Sequence, residues 1–135
     1  MVRPRPELAW ARERIAAGTD FDRLLELAAF HSVRPPFLEA LSALSWAGVP
    51  GAIQAALKYF QQTHLARVLS LSQELCDIAR LFDAEGIRFA VFKGPALAAY
   101  LYGDLSRREY NDIDVIVPSE HMTKAEALLS TLGYR

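Results

Sequence analysis

The feature that most constrains the fold is a long stretch, residues 52–85, that contains neither glycine nor proline. Apolar side chains recur in it at alternating steps of three and four residues, with one histidine in the same series, at Ile53, Leu57, Phe60, His64, Val68, Leu71, Leu75, Ile78 and Phe82. This spacing places them on one stripe of an α-helix. The sequence therefore predicts one long amphipathic helix over about 52–85, ended by Gly86.

Three shorter helices are predicted before the long one. The first covers Glu7–Ala17, after a loose tail at residues 1–6. The second follows Thr19 as N-cap and extends to about His31, and the third opens at Pro35-Pro36. Together with the long helix they predict a helical region over residues 1–86. We expect the short helices to cover the stripe, while an oligomer formed through the long helix is the alternative.

The character of the chain changes after Gly86. Two short apolar runs, Ile87–Phe92 and Asp112–Val117, predict strands, and a helical pattern follows each of them. The sequence thus predicts an α+β fold in which residues 87–135 form a partial β-α-β-α unit with a small mixed sheet. Because two strands alone are marginally stable, we expect a third to begin at Tyr134-Arg135 and the chain to continue beyond it.

Charge and cysteine content exclude several classes of protein. The net charge of -1 makes nucleic acid an unlikely partner, and the single Cys76 excludes a disulfide framework or a cysteine-rich zinc site. Neither a secretory signal nor an apolar run of membrane-spanning length is visible. We therefore expect a cytoplasmic protein that does not bind membranes.

Two aspartates open the second predicted strand, and they are the strongest candidates for chemistry. Alternate strand residues point to one side, so Asp112 and Asp114 are expected on one face, with Ile113, Val115 and Val117 on the other. Two neighbouring carboxylates repel each other unless a cation or proton intervenes. Mg2+, or Mn2+ in its place, suits this ligand type. A solvated strand face or an Asx turn is the alternative.

The turn after the first predicted strand is a candidate anion site. Gly94 lies between a strand and a helix, where backbone N–H groups can approach a phosphate, and Lys93 adds a positive charge. Arg107 and Arg108 precede the aspartates and are further candidates for binding a triphosphate. Taken singly, each of these four residues is better explained as part of an ordinary turn or as a surface charge. His64 lies on the apolar stripe, which favours a packed core histidine over a ligand.

The order of these features resembles a known family. The helical half is followed by Phe92-Lys93-Gly94, then by Tyr102, Arg107 and Asp112-Ile113-Asp114. This order is similar to that in uncharacterised nucleotidyltransferases of the DNA polymerase β-like superfamily. The resemblance implies Mg2+-dependent transfer of a nucleoside monophosphate from a nucleoside triphosphate to an acceptor. It also implies metal binding and catalysis by Asp112 and Asp114. In that superfamily a later strand supplies a third carboxylate, which we expect beyond Arg135.

The residues leave the acceptor and two other functions open. A polysaccharide or small-molecule hydroxyl, a protein side chain and a nucleic-acid end are all possible acceptors, the last disfavoured by charge. One alternative is a non-catalytic module that senses nucleotides or binds a protein on a degenerate nucleotidyltransferase fold. The other is a helical interaction protein that uses the stripe over residues 52–85.

Overall fold

A computed structural model describes residues 8–134. The tail predicted at residues 1–6, the start of the first helix at Glu7 and the end of the chain at Arg135 lie outside this range. The helices are α1 (Leu8–Ala16), α2 (Phe21–Phe30), α3 (Arg34–Ala43), α4 (Gly51–Ala84), α5 (Gly94–Tyr102) and α6 (Met122–Thr131). The strands are β1 (Ala90–Phe92) and β2 (Asp114–Ile116), and short 3-10 turns cover Leu105–Arg107 and Ser119–His121. The α+β class and the long helix are confirmed.

The described residues divide into two compact units. Residues 8–65 and 106–109 form the first, and residues 66–105 and 110–134 form the second. The long helix α4 therefore contributes its first part to one unit and its second part to the other. None of the helices within residues 8–134 combines the length and apolarity needed to cross a membrane.

Local sequence chemistry sets where α2 and α3 begin. The side chain of Asp20 accepts a hydrogen bond of 2.9 Å from the Arg23 backbone N–H, so Asp20 is the N-cap of α2. The prediction that Thr19 caps this helix is wrong, because its hydroxyl donates to the Arg14 carbonyl instead. The two prolines do lie in the first turn of α3, as predicted.

The core of the first unit covers the beginning of the apolar stripe. Ile53 and Leu57 of α4 are buried there, and they cluster with side chains from α2, α3 and the following loop, namely Phe21, Leu41 and Val49. Burial of each large apolar side chain stabilises the fold by roughly 1.5–3 kcal/mol. The short helices thus cover this part of the stripe within the chain, whereas oligomer formation through α4 stays a prediction.

Three contacts fix residues 106–109 to the first unit. His64 is 8% exposed, its ring stacks on Phe60, and its Nε2 lies 3.1 Å from the carbonyl oxygen of Ser106, which confirms a packed core histidine. The guanidinium of Arg34 binds the Glu109 carboxylate, with Nε donating to Oε2 at 3.1 Å. Arg34 also donates its backbone N–H to Glu109 Oε1 at 2.8 Å, which places a negative charge at the start of α3.

The second unit contains the sheet. Strands β1 and β2 are antiparallel, with Ala90 opposite Ile116, Val91 opposite Val115 and Phe92 opposite Asp114. Each has three residues, which is shorter than the predicted runs. A mixed sheet was expected, but a parallel neighbour is absent among residues 8–134.

One face of this sheet is covered by helices. Ile113, Val115 and Val117 pack against a core from α4, α6 and the segment before β1, formed by Ile78, Phe82, Ile87 and Ala125. Phe92 and Ile116 lie on the other face and are about half exposed, at 49% and 57%. The prediction that Ile113, Val115 and Val117 share one face of this strand is therefore confirmed.

Candidate active site

The register of the sheet brings the predicted turn and the predicted aspartates to the same place. Because Phe92 lies opposite Asp114, the last residue of β1 is paired with the first residue of β2. The Lys93-Gly94 turn and the approach to β2 thus meet at one end of the sheet. A Cβ atom added to Gly94 would lie 3.4 Å from the backbone oxygen of Asp112. The second unit therefore brings Lys93, Gly94, Asp112 and Asp114 together.

The backbone of the turn adopts a conformation that few side chains tolerate. Lys93 has φ 62° and ψ -138°, and Gly94 has φ 48°. Positive φ costs a non-glycine residue roughly 1–3 kcal/mol, and such strain concentrates at functional sites. Gly94 avoids this cost, and its missing side chain also permits the close approach to Asp112.

The turn leads directly into α5. Gly94 and Pro95 are buried and occupy its first turn, where proline is favoured because the backbone N–H groups there lack partners within the helix. The helix ends at Gly103, which has the left-handed conformation typical of a C-terminal glycine. The start of α5 therefore lies beside Asp112 and supplies the partial positive charge of a helix N-terminus.

The Lys93 side chain is exposed, and its Nζ lies 4.7 Å from the centre of the Phe92 ring. This distance suits a cation–π contact. Phe92 ends the apolar run Ile87–Phe92 that predicts the first strand. The structure places its ring on the open face of the sheet, across from Asp114, where it lies beside the Lys93 ammonium.

The two aspartates differ in their surroundings. Asp114 is half-buried at the start of β2, whereas Asp112 is exposed and precedes the strand. The prediction that both belong to one strand is therefore wrong for Asp112, because the ladder with β1 ends at Asp114. Among residues 8–134 there is no group of three or more histidine, cysteine or carboxylate side chains arranged to hold a metal.

Asp112 and Asp114 are ligands of the type that Mg2+ or Mn2+ takes, but no third histidine, cysteine or carboxylate joins them among residues 8–134. Both are hard cations that prefer oxygen, and Mg2+ is usually held by one or two protein carboxylates with water and substrate phosphates completing the shell. Asp112 is exposed and Asp114 is half-buried, and both lie at the end of the sheet that meets the Lys93-Gly94 turn. A cation held by these two carboxylates would need water or another oxygen-bearing molecule to complete its shell.

Arg67 and Asn111 were missed by sequence reasoning. Arg67, on the second part of α4, donates from Nε to Asn111 Oδ1 at 3.1 Å and from a terminal nitrogen to the Asn111 backbone oxygen at 3.2 Å. Asn111 directly precedes Asp112. The two residues are 44 positions apart, so no local spacing links them.

A cleft of about 550 Å³ adjoins Asp112 within the second unit. Its lining combines polar and apolar groups and includes Arg67, Asn111, Ile113, Glu74 and Tyr134. The Tyr134 hydroxyl donates to Glu74 Oε2 at 2.8 Å. Burial, and then this hydrogen bond to a carboxylate, raise the pKa of Tyr134 above its usual value.

The two predicted arginines belong to the first unit. Arg107 forms an ion pair with Glu39 there. One terminal nitrogen of Arg108 is buried without a hydrogen-bond partner among the described residues. Their assignment to nucleotide binding stays a prediction.

The chain was compared with protein families, with curated proteins and with solved structures. A family model described as an uncharacterised nucleotidyltransferase matches residues 17–135, which include the turn, the aspartates and most of the helical half. Neither a curated protein nor a solved structure matches the chain significantly.

Proposed function

The chain belongs to the family of uncharacterised nucleotidyltransferases, and on this basis we propose that it transfers a nucleoside monophosphate from a nucleoside triphosphate to an acceptor hydroxyl. The observation that carries the proposal is the pairing of Phe92 with Asp114, which brings the Lys93-Gly94 turn against Asp112. A cation, a helix N-terminus and two carboxylates then surround one end of the sheet. This combination suits a triphosphate and its metal ion.

Asp112 and Asp114 are assigned to the metal. Their carboxylates would hold Mg2+, or Mn2+, which when bound supplies positive charge to the triphosphate and to the departing pyrophosphate. Asp114 gains its orientation from the ladder with β1, whereas Asp112 depends on the irregular segment that precedes β2.

The turn is assigned to the phosphates. Gly94 has no side chain at the start of α5, so the backbone N–H groups of Gly94 and Ala96 are the candidate donors to a phosphate oxygen, whereas Pro95 has none. Lys93 precedes this glycine, and its ammonium lies over Phe92 on the same end of the sheet. We assign it to the triphosphate ahead of Arg107, because Arg107 is already paired with Glu39.

The proposed reaction is an in-line displacement at the α-phosphorus. The acceptor oxygen forms a bond to this phosphorus, the bond to the oxygen bridging the α- and β-phosphates breaks, and pyrophosphate leaves. The acceptor proton passes to water. Positioning and charge stabilisation account for most of the rate in such reactions, and the residues named here contribute both.

The test begins with metal binding. Electron paramagnetic resonance of free Mn2+ in titrations of the whole chain measures its dissociation constant. We expect Asp112→Asn and Asp114→Asn each to weaken binding at least tenfold, since either substitution leaves one carboxylate. Asp83→Asn, an exposed aspartate of α4, is the matched control and should bind Mn2+ as the unaltered chain does. Equal binding by all four proteins would refute the metal assignment.

The second part of the test separates catalysis from sensing. The chain is incubated with ATP labelled at the α-phosphate and with candidate acceptors from each class, and incorporation of label is measured. Transfer that depends on both aspartates supports the proposed reaction. Binding of Mg2+-ATP that depends on the aspartates, without transfer to any class of acceptor, would instead indicate a nucleotide-sensing module.

A further inference from the structure

The segment that carries Asp112 is anchored on both sides but not at the aspartate itself. Tyr110 is buried and clusters with Val68, Leu71 and Ala98, and Ile113 packs against the same cluster. Asn111 and Asp112 lie between these two anchors and are exposed. They also lie outside β2, so the ladder with β1 does not hold them. The orientation of Asp112 therefore depends on whatever fixes the peptide that joins it to Asn111.

Arg67 fixes that peptide. Its terminal nitrogen donates to the Asn111 carbonyl oxygen, which belongs to the planar unit joining Asn111 to Asp112, and its Nε donates to the Asn111 side chain. The neighbour of Arg67 in the helix, Val68, is fully buried in the cluster that anchors Tyr110. The guanidinium thus extends from a fixed point of α4. Its two donors lie in one plane and suit two oxygens of one residue, which a single ammonium cannot match.

We propose that Arg67 is a positioning residue that holds Asp112 in the orientation required for metal binding, acting through Asn111. The proposal rests on the proposed function, because it assumes that Asp112 binds the metal. Arg67 itself has no assigned contact with metal or substrate. From the other side, Gly94 lies against the Asp112 backbone, so the aspartate is confined between the turn and the arginine fork.

The direction in which the Mn2+ affinity changes when Arg67 is removed distinguishes a positioning role from a purely electrostatic one. Arg67 is positive, so removing it favours cation binding on electrostatic grounds alone. If the fork positions Asp112, its removal should weaken cation binding instead. We expect Arg67→Met to raise the dissociation constant for Mn2+ about fivefold, a modest factor because the arginine is exposed and water competes for its hydrogen bonds. Arg67→Lys should raise the dissociation constant as well, by at least about half as much as Arg67→Met on a logarithmic scale.

The experiment measures free Mn2+ by electron paramagnetic resonance in titrations of the whole chain, with urea unfolding as a check on each variant. Arg80→Met is the matched control, since Arg80 lies on the same helix and pairs with Asp77. Its Mn2+ affinity should not change. Asn111→Ala, which removes only the side-chain acceptor, should weaken binding about twofold and provides the test if Arg67→Met unfolds. The double variant should bind no more weakly than Arg67→Met, because both act through one contact.

The outcomes distinguish failure of the positioning role from failure of the metal site. Unchanged or tighter Mn2+ binding by Arg67→Met, with Asp112→Asn still impaired, overturns the positioning role and leaves the metal site standing. Unchanged binding by both Asp112→Asn and Asp114→Asn overturns the metal site and the positioning role together.

Discussion

Phe92 at the end of β1 lies directly opposite Asp114 at the start of β2. In an antiparallel pair, opposite residues project to the same face, so an aromatic ring and a carboxylate are neighbours on the open side of the sheet. The ring is half exposed and supports the Lys93 ammonium. A positive group, a negative group and an apolar surface therefore occupy the exposed end of the second unit, while the opposite face of the same two strands forms its core.

The first prediction concerns Gly94. Gly94→Ala should lower the free energy of unfolding by about 1–2 kcal/mol, because the residue has φ 48° and the new Cβ would lie 3.4 Å from the Asp112 oxygen. It should also weaken Mn2+ binding, since a strained turn shifts and the new Cβ is in van der Waals contact with the Asp112 backbone oxygen. Urea unfolding measures the first effect and paramagnetic resonance the second.

Two other glycines provide matched controls for this substitution. Gly86 has φ 66° but open space around its Cβ position, so Gly86→Ala should show the conformational cost alone and leave Mn2+ binding unchanged. Gly51, in α4, has open space and no positive φ, so Gly51→Ala should not destabilise the chain. Equal Mn2+ affinities for Gly94→Ala and Gly86→Ala would contradict the contact with Asp112.

Elements set by local chemistry could be predicted from the sequence. The long helix was predicted to within a residue at each end because residues 52–85 contain no glycine or proline, whereas such residues lie directly on both sides of this stretch. The turn at Lys93-Gly94 followed from a glycine between a strand and a helix. The N-cap of α2 was misplaced by one residue because Thr19 and Asp20 both carry suitable oxygens, and only the neighbouring Arg14 carbonyl decides between them.

Features that depend on distant contacts could not be predicted. Both strands are shorter than their apolar runs because a strand extends only as far as its partner, and Asp112 has none in the ladder. Arg67 binds a residue 44 positions away, and Arg34 binds one 75 positions away. The spacing of residues within one segment does not indicate which distant residue a side chain contacts. The assignment of the aspartates to a metal came from their spacing and from family resemblance, and it stays a prediction.

The second prediction concerns the ion pair of Arg34 and Glu109. The Glu109 side chain is 8% exposed, so Arg34→Met leaves a nearly buried carboxylate without its cation. We expect a loss of about 2–3 kcal/mol in the free energy of unfolding, since breaking a buried pair costs 3–5 kcal/mol and Arg34 is partly exposed. Arg23→Met removes an exposed pair with Glu26 and should cost less than about 0.5 kcal/mol. Similar losses in both variants, measured by urea unfolding, would contradict the burial of Glu109.

The third prediction concerns Tyr134 and pH. Burial and the hydrogen bond to Glu74 raise the pKa of Tyr134 in the folded chain above the ordinary value of 10.0. As pH rises through this region the unfolded chain loses its tyrosine proton first, so the folded chain binds more protons and the free energy of unfolding falls. The decline should continue until the pH passes the folded pKa of Tyr134.

Two variants test this pH dependence by urea unfolding at about pH 9 to 11, the range in which tyrosine ionises. Tyr134→Phe should show a shallower decline in stability than the unaltered chain, because it lacks the perturbed group. Tyr100→Phe removes a tyrosine that is 85% exposed and should keep the full decline. Identical slopes for Tyr134→Phe and the unaltered chain would show that neither burial nor the hydrogen bond to Glu74 raises the pKa of Tyr134.

The last prediction separates stability from binding at Lys93. This residue has φ 62° and ψ -138°, which glycine adopts without strain and lysine adopts only with strain. Lys93→Gly should therefore raise the free energy of unfolding by about 0.5–1 kcal/mol, the relief of strain being partly offset by the flexibility of glycine in the unfolded chain. The same change removes the cation assigned to the triphosphate, so binding of Mg2+-ATP, measured by calorimetry, should weaken several-fold. Lys93→Ala keeps the strained backbone and should weaken binding without the gain in stability. A gain in stability in both variants would place the strain in the lysine side chain. Unchanged binding of Mg2+-ATP in both variants would remove Lys93 from the proposed site.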